Sequence, residues 1–327
     1  MEKISVVVLS YMDEERIEKF LNSVKGVDEI IVSLDEFSTD KTGEIAERLG
    51  ARVVGRSDFW ETPKQEDIDR FKERFGFLPE FTTENKFCKS GEVRNEAMTY
   101  AKNDWVFFPD SDEIMTWDLK EIEKLLPHYD QIKCDYIQDR DEKGNSIYDF
   151  EVCKLFRKSK VKWIGRVHEV VHNLGGNRFA TADKMKIDHY HTHRIVDPKK
   201  ASRGQISMEY AVIKDYDART THYLAREYFY NKEYDKAIKL YLDYLKVATW
   251  EPEIVEAHIK LSRCYWEIGQ GEKSREHCLE AIRNNPQCKE ALFLMSVYYN
   301  EPWAHKWKKL SKACTNEDSL FRPQWTY

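Results

Sequence analysis

No segment of the 327-residue chain reaches the length of apolar sequence that a membrane-crossing helix needs. The first apolar run is only a short strand, so neither a signal peptide nor an integral anchor is expected, while peripheral membrane contact stays open. Cysteine is sparse: the seven residues are scattered, odd in number and never spaced C-x-x-C, and free thiols in a reducing cytosol are the simplest reading. Positive charge is also short. A formal net charge of -6 gives no global attraction to nucleic acid, although a local basic surface does not show in such a sum. What is present is a chain long enough to bury a substantial core and to divide into two domains.

The N-terminal half alternates strands with helices. Ile4 to Tyr11 reads as a buried first strand, followed by a helix whose Ile17, Phe20, Leu21 and Val24 keep one apolar face at i, i+3, i+4, i+7 spacing. A second strand over 29–34 runs into Asp35-Glu36-Phe37-Ser38-Thr39-Asp40-Lys41-Thr42. There Ser38, Thr39 and Asp40 all qualify as caps of a helix ending near Leu49, with Gly50 as its stop. Arg52 to Val54 makes a short third strand. This spacing predicts an α/β fold with a doubly wound parallel sheet and a nucleotide crevice beyond the strand ends. Trp105 to Phe108 is apolar on both faces, belongs in the middle of that sheet, and leads straight into Asp110-Ser111-Asp112. Two carboxylates one residue apart at a strand end suit a shared Mg or Mn ion that neutralises a diphosphate; the plainer reading is a solvated acidic turn.

Four motifs in order resemble the inverting family 2 glycosyltransferases with the nucleotide-sugar-binding GT-A fold: the turn Tyr11-Met12-Asp13-Glu14-Glu15, the stretch Asp35 to Thr42, the helical pair Arg94-Asn95, and Asp110 to Glu113. The resemblance covers roughly residues 3 to 115 well and the stretch to about 195 more loosely. It departs at Met12, where the family usually has Asn, and at Phe37, where it usually has Gly. It implies a catalytic domain over 1–198 that moves a hexose, with inversion, from a nucleotide diphosphate sugar, UDP-linked as the first expectation, to an acceptor hydroxyl or thiol. It also implies that Ser10, Tyr11 and Glu14 line the base and ribose pocket, that Asp35 accepts a hydrogen bond from the base, and that Arg94, Asp110 and Ser111 meet the donor. Each role fits the residue: Tyr11 can stack on a pyrimidine, a carboxylate accepts the N–H of uracil, and a guanidinium matches phosphate oxygens. Simple packing for Tyr11, a capping turn for Asp35 and a surface ion pair for Arg94 are the alternatives.

Further along, Trp163-Ile164-Gly165-Arg166-Val167-His168-Glu169 follows a strand-like Glu151 to Phe156. Inverting transfer needs a general base for the acceptor, and Glu169 is the candidate; a buried structural pair with His168 is the rival. Asp188-His189-Tyr190-His191-Thr192-His193-Arg194 carries three His at alternating positions, so on a strand all three face one side. A zinc site is one reading. The resemblance implies instead a single late His completing the D-x-D metal sphere, and His191 or His193 is preferred beside Asp110 and Asp112, with His189 left to packing or phosphate contact. The segment 58–87, starting at Asp58, is charged and interleaved with Phe59, Trp60, Phe71, Phe75, Phe77 and Phe81. It reads as a lid over the donor site, a wall of the acceptor pocket, or an excursion packed on the sheet.

From about Lys200 the pattern is helical throughout. Tyr223-Leu224-Ala225, Tyr228, Ala237 and Tyr241 align with His258, Leu261-Ser262, Tyr265, Ser274 and Cys278, and Pro252 and Pro286 lie one 34-residue period apart. Residues 199–327 thus resemble a short tetratricopeptide-like array, with Tyr228, Tyr265 and Tyr299 packed between helices and Glu301-Pro302 breaking the register as a terminal cap. Such an array presents a concave surface to a peptide or protein, or serves as scaffolding or a homodimer interface. The joined architecture resembles the bacterial S-glycosyltransferases of the sublancin type, which modify an antibiotic peptide; a glycan, a lipid-linked sugar and a modified nucleic-acid base are further acceptor classes. The alternative class is a non-enzymatic scaffold on a degenerate transferase domain, against which the intact Asp35, Arg94, Asp110 and Asp112 stand.

Overall fold

The computed structural model describes residues 2–56, 59–141, 144–176, 178–189, 198–215 and 217–314. Along the chain run β1 (Ile4–Ser10), α1 (Ile17–Ser23), β2 (Glu29–Leu34), α2 (Thr42–Arg48), β3 (Arg52–Gly55), β4 (Trp60–Glu61), α3 (Gln65–Phe75), β5 (Phe87–Cys88), α4 (Ser90–Thr99), β6 (Trp105–Phe107), β7 (Glu113–Trp117) and α5 (Leu119–Leu125). There follow β8 (Gln131–Arg140), β9 (Ser146–Arg157), β10 (Val161–Ile164), β11 (Val170–Asn173) and β12 (Phe179–His189). The chain then turns helical with α6 (Pro198–Lys214), α7 (Ala218–Tyr230), α8 (Tyr234–Tyr244), α9 (Glu251–Glu267), α10 (Gly271–Asn284), α11 (Lys289–Tyr298) and α12 (Trp303–Ala313). Two compact units result: Met1–Glu61 with Lys86–Asp197, and Thr62–Asn85 with Pro198–Tyr327.

The first unit is built on an eight-stranded sheet in the order β3-β2-β1-β6-β9-β8-β12-β7. The parallel arrangement expected from the sequence holds for β3, β2, β1 and β6, with Val6 opposite Ile30 and Phe107. Beyond β6 the sheet is mixed. β8 and β9 follow one another directly and pair antiparallel, β9 lies antiparallel to β6, and β7 closes the edge antiparallel to β12. Hairpins need no crossover, so the alternation rule that governs the first four strands does not extend here.

Apolar residues on both faces of β1 explain its central place. Ile4, Val6 and Val8 pack toward Ile17, Phe20, Leu21 and Val24 of the α1 region, while Val7 packs with Phe108, Ala97 and Trp163 on the opposite face. Each such buried side chain contributes on the order of 1.5–3 kcal/mol. Gly50, at φ +85°, ends the α2 turn as expected; a side chain in that left-handed conformation is strained.

In the second unit each helix from α7 to α12 packs chiefly on its neighbours in sequence. Tyr228 and Tyr265 are buried between helices, as expected, but the third aromatic is Tyr298 rather than Tyr299. α11 ends at Tyr298, and Tyr299 has already turned to extended backbone. Among the described residues no helix is long and apolar enough to cross a membrane.

The segment 62–85 joins these helices. Phe71 is fully buried and rings Phe75, Phe77 and Phe81 at centroid distances of 4.8, 5.3 and 6.1 Å. Phe77 in turn meets Tyr228 at 5.7 Å and Phe81 meets Tyr210 at 5.5 Å. Polar contacts fix the same seam. Arg74 donates to Asp243 at 2.7 Å and to the Val212 carbonyl at 2.8 Å, Lys214 pairs with buried Asp67 at 3.0 Å, and buried Glu209 accepts the Glu80 amide at 2.6 Å. Phe71→Ala is therefore expected to destabilise the helical unit by about 3–5 kcal/mol, the range for deleting a buried aromatic. Denaturant unfolding of the full chain checks this, and a loss below about 1 kcal/mol would mean the aromatic cluster collapses without cost.

Candidate active site

Two turns at the C-terminal ends of β1 and β2 are stitched together by their own polar groups. Ser10 Oγ donates to the buried Asp13 carboxylate at 2.7 Å, Asp13 also pairs with Arg16, and its amide donates to Thr42 Oγ1 at 2.8 Å. Glu14 and Asp40 exchange contacts: the Glu14 amide donates to Asp40 at 3.0 Å and the Lys41 amide to Glu14 at 3.0 Å. Asp40 is thus the carboxylate at the α2 N-terminus, accepting the Thr42 amide as well at 3.2 Å. Between them Met12 sits at φ +52°, a left-handed conformation in which Asn is far more at home. Its amide is held by Ser38 Oγ at 3.0 Å. Tyr11 and Phe37 are both more than half exposed, and the Phe37 ring stands 6.4 Å from that of Trp60. Asp35 is buried, accepting the Phe37 amide at 2.9 Å and pairing with Arg56.

One strand further in, the acidic turn after β6 is gripped from two sides. Arg94, on α4, donates from Nη2 to Asp110 at 3.0 Å and from Nε to Glu169 at 2.5 Å. Its guanidinium lies 5.1 Å from the Phe108 ring centre and 4.8 Å from that of Trp163. Lys154, on β9, reaches Asp110 at 2.8 Å and bonds the almost fully buried Glu113, whose carboxylate also accepts the Asp110 amide at 3.0 Å. The strand pairing sets this up, since the Phe108 amide donates to the Lys154 carbonyl at 2.8 Å. Burial alone would raise the Asp110 carboxyl, but Lys154 and Arg94 hold it well below the usual carboxylate range. Burial outweighs Lys154 at Glu113, whose carboxyl is pushed up.

Asp112 faces the other way. His189, the last residue of β12, brings Nε2 to 3.5 Å from its carboxylate, and Arg16 approaches to 3.9 Å. The hydrogen bond between the two lowers the Asp112 carboxyl and raises the His189 imidazole. The second ring nitrogen of His189 meets the Gln138 side-chain amide at 3.3 Å.

The loop carrying Glu169 is positioned by α4. Asn95 clasps the Trp163 backbone twice, donating to its carbonyl at 2.8 Å and accepting its amide at 2.9 Å. The Gly91 amide donates to the Gly165 carbonyl at 3.0 Å, and a Cβ on Gly91 would stand 2.7 Å from that oxygen, so no larger residue fits without moving the loop. Arg166 within the loop donates to Glu61 of β4 at 2.6 Å.

The structure thus brings together Arg94, Asp110, Glu169, Asp112 and His189, and places Ser10, Tyr11, Glu14 and Asp35 along the adjoining turns. Ser111 lies between the two aspartates of the turn after β6, and His191 and His193 lie outside the described residues. His189 is the one of the three alternating His among the described residues, and it stands beside Asp112. Lys154 was not anticipated from the sequence, although a lysine inside the run Val152-Cys153-Lys154-Leu155-Phe156 is the signal that marks it. Arg16 was likewise missed. Among the described residues no group of three or more His, Cys, Asp or Glu is arranged to hold a metal.

No family model matches the chain. Over 181 residues it is 26% identical to an uncharacterized glycosyltransferase of Rickettsia conorii, covering 53% of this chain and 54% of that protein. It is also 26% identical over 171 residues to the SPbeta prophage-derived glycosyltransferase SunS of Bacillus subtilis, covering 51% of this chain and 34% of SunS. The chain therefore spans about half the length, or less, of these curated relatives. Among solved structures, glucosyl-3-phosphoglycerate synthase from Mycobacterium tuberculosis aligns over 41% of this chain and 44% of its own at 25% identity, with a TM-score of 0.27, which is too low to carry weight.

The Asp112–His189 pair has a pH signature. His189, raised by its partner, adds stability that is fully present below its unfolded value near 6.5 and is lost as pH rises through the folded value. Asp112, lowered, adds stability present above about 3.9 and lost as pH falls through its folded value. An NMR titration of His189 is expected to have its midpoint above about 6.5 and to drop toward it in Asp112→Asn; an unchanged midpoint in the variant would break the pairing.

Proposed function

We propose that this chain is a GT-A-type, metal-dependent inverting glycosyltransferase that moves a hexose from a UDP-sugar to an acceptor hydroxyl or thiol. The relatives named glycosyltransferases support the class. The observation that carries the chemistry is Arg94, whose single guanidinium holds Glu169 and the first D-x-D carboxylate together beyond the end of β6.

In this reading Tyr11, exposed beside the Ser10–Asp13 turn, stacks on the base. Asp35 retains lone pairs beyond those used by Phe37 and Arg56, and accepts the base N–H with them. Ser10 and Glu14 line the same pocket and also shape that turn, through the Ser10–Asp13 bond and the Lys41 amide held by Glu14. Arg94 and Lys154 place positive charge where a diphosphate departs, with Ser111 between the two carboxylates. Glu169 takes the acceptor proton on its free oxygen, and its orientation is imposed by Arg94 and by the Asn95 clasp on the preceding strand.

A divalent cation fits the donor set at Asp112 and His189, a hard carboxylate opposite an imidazole, better than at Asp110, whose oxygens are already met by two basic groups. When bound there, Mn or Mg would offset the charge gathering on the leaving diphosphate. His191 and His193 are proposed as neighbouring ligands. The tetratricopeptide-like helices are proposed to engage a peptide or protein acceptor, in keeping with the array-like stacking of α7 to α12.

The test has two arms. UDP with Mn is expected to raise the melting temperature, EDTA to cancel much of that rise, and ADP to give none; equal shifts with ADP would end the UDP assignment. Glu169→Gln is expected to keep donor binding and lose about a hundredfold or more in transfer, the scale of general-base catalysis. Transfer near the wild-type rate would place the base elsewhere.

A further inference from the structure

The last described helix carries charge of one sign only. α12 contains Lys306, Lys308, Lys309 and Lys312, all exposed, together with His305, and no acidic residue among its eleven; the nearest preceding acid is Glu301. The whole chain is net negative, at -6, so this is a local reversal of sign. The inner face is fixed by Ala304, Trp307 and Ser311. Ser311 is buried and donates to the Lys289 carbonyl at 3.1 Å, while Trp307 packs beside Val255, Ile259 and Met295.

The outer face does not follow the polar pattern that a helix closing a stacked array normally keeps. Trp303 is 55% exposed and Leu310 51%. With Lys306 and Ala313 they recur at i, i+3, i+7, i+10, within about 80° of helix surface at 3.6 residues per turn, and Lys309 flanks them. The Lys306 ammonium lies 4.4 Å from the Trp303 ring centre. Trp303 and Leu310 with Lys306 on one stripe and Lys309 beside it match a headgroup layer: the two lysines meet lipid phosphates, and the indole and the leucine enter the acyl boundary. A second copy of the same stripe would repel it, and a nucleic acid would use the lysines but leave Leu310 and Ala313 in water.

We infer that the outer face of α12 docks on an anionic membrane surface. Contact of this kind is peripheral, and it does not depend on the donor chemistry proposed above.

Sedimentation of the full chain with vesicles tests it. The protein is expected to pellet with phosphatidylcholine vesicles containing phosphatidylglycerol, much less with phosphatidylcholine alone, and progressively less as salt rises. A Lys306→Glu/Lys309→Glu double variant is expected to lower the vesicle association constant by about tenfold or more. Trp303→Ser with Leu310→Ser is expected to lower it while leaving the salt dependence in place. All four positions are exposed, so unchanged circular dichroism separates lost docking from lost folding. No pelleting with anionic vesicles, equal pelleting with neutral ones, or undiminished pelleting of either folded variant overturns the inference. So does tighter binding to a single-stranded oligonucleotide that the lysine variant abolishes, which assigns the face to nucleic acid.

Discussion

The Arg94 guanidinium ties the polar contacts of the first unit together. Arg94 would be costly to desolvate alone, yet it is flanked by Asp110 and Glu169 and laid against Phe108 and Trp163, and these partners keep it charged. Because the fork is planar and its donors are fixed in direction, it dictates the separation and tilt of the two carboxylates it joins. One carboxylate comes from the sheet and the other from a loop after β10, so the guanidinium is what converts two unrelated backbone segments into one site. Removing either carboxylate would leave one edge of the guanidinium without its anionic partner. Asn95, one residue on, acts on the backbone where Arg94 acts on side chains. The adjacent pair on α4 therefore secures both the loop and the Glu169 carboxylate.

Around this cation the acidic turn is divided in charge. Asp110 is met by Arg94 and Lys154, Glu113 is sealed beneath it, and Asp112 alone turns toward His189. Three carboxylates in four residues would repel one another in the open. Here the sheet interposes an ammonium from β9, and the Phe108–Lys154 backbone bond fixes the strand that carries it. The geometry gives the two aspartates of the motif different surroundings: one neutralised by the protein, the other left facing an imidazole.

Much of this was legible in the chain, because the local physics is strong there. The continuous apolar runs of β1, β2 and β6 and the helical stripe of α1 have one stable arrangement, and the acidic motif sits at a strand end for the same reason. What was not legible depends on pairing across long sequence distance. The antiparallel insertion of β9 and β8 brings Lys154 under Asp110, 44 residues away, and no local pattern encodes that register. Arg16 belongs to a helix start and reads as an ordinary surface cation until Asp13 is seen to be buried. The shift from Tyr299 to Tyr298 came from a helix that stops one residue early. The aromatic spacing of 71–81 was visible, but spacing alone does not say which core the rings enter.

That last point bears on how the molecule is made. The segment 62–85 leaves the ribosome well before the helices that bury its phenylalanines, with the rest of the sheet unit in between. At ordinary elongation rates the wait is on the order of ten seconds. During that interval Phe77 lacks Tyr228 of α7 and Phe81 lacks Tyr210 of α6, the rings they meet in the folded unit. Because the aromatic segment and the helices it joins are separated in the chain by most of the sheet strands, the helical unit cannot be exchanged between proteins as one continuous cassette.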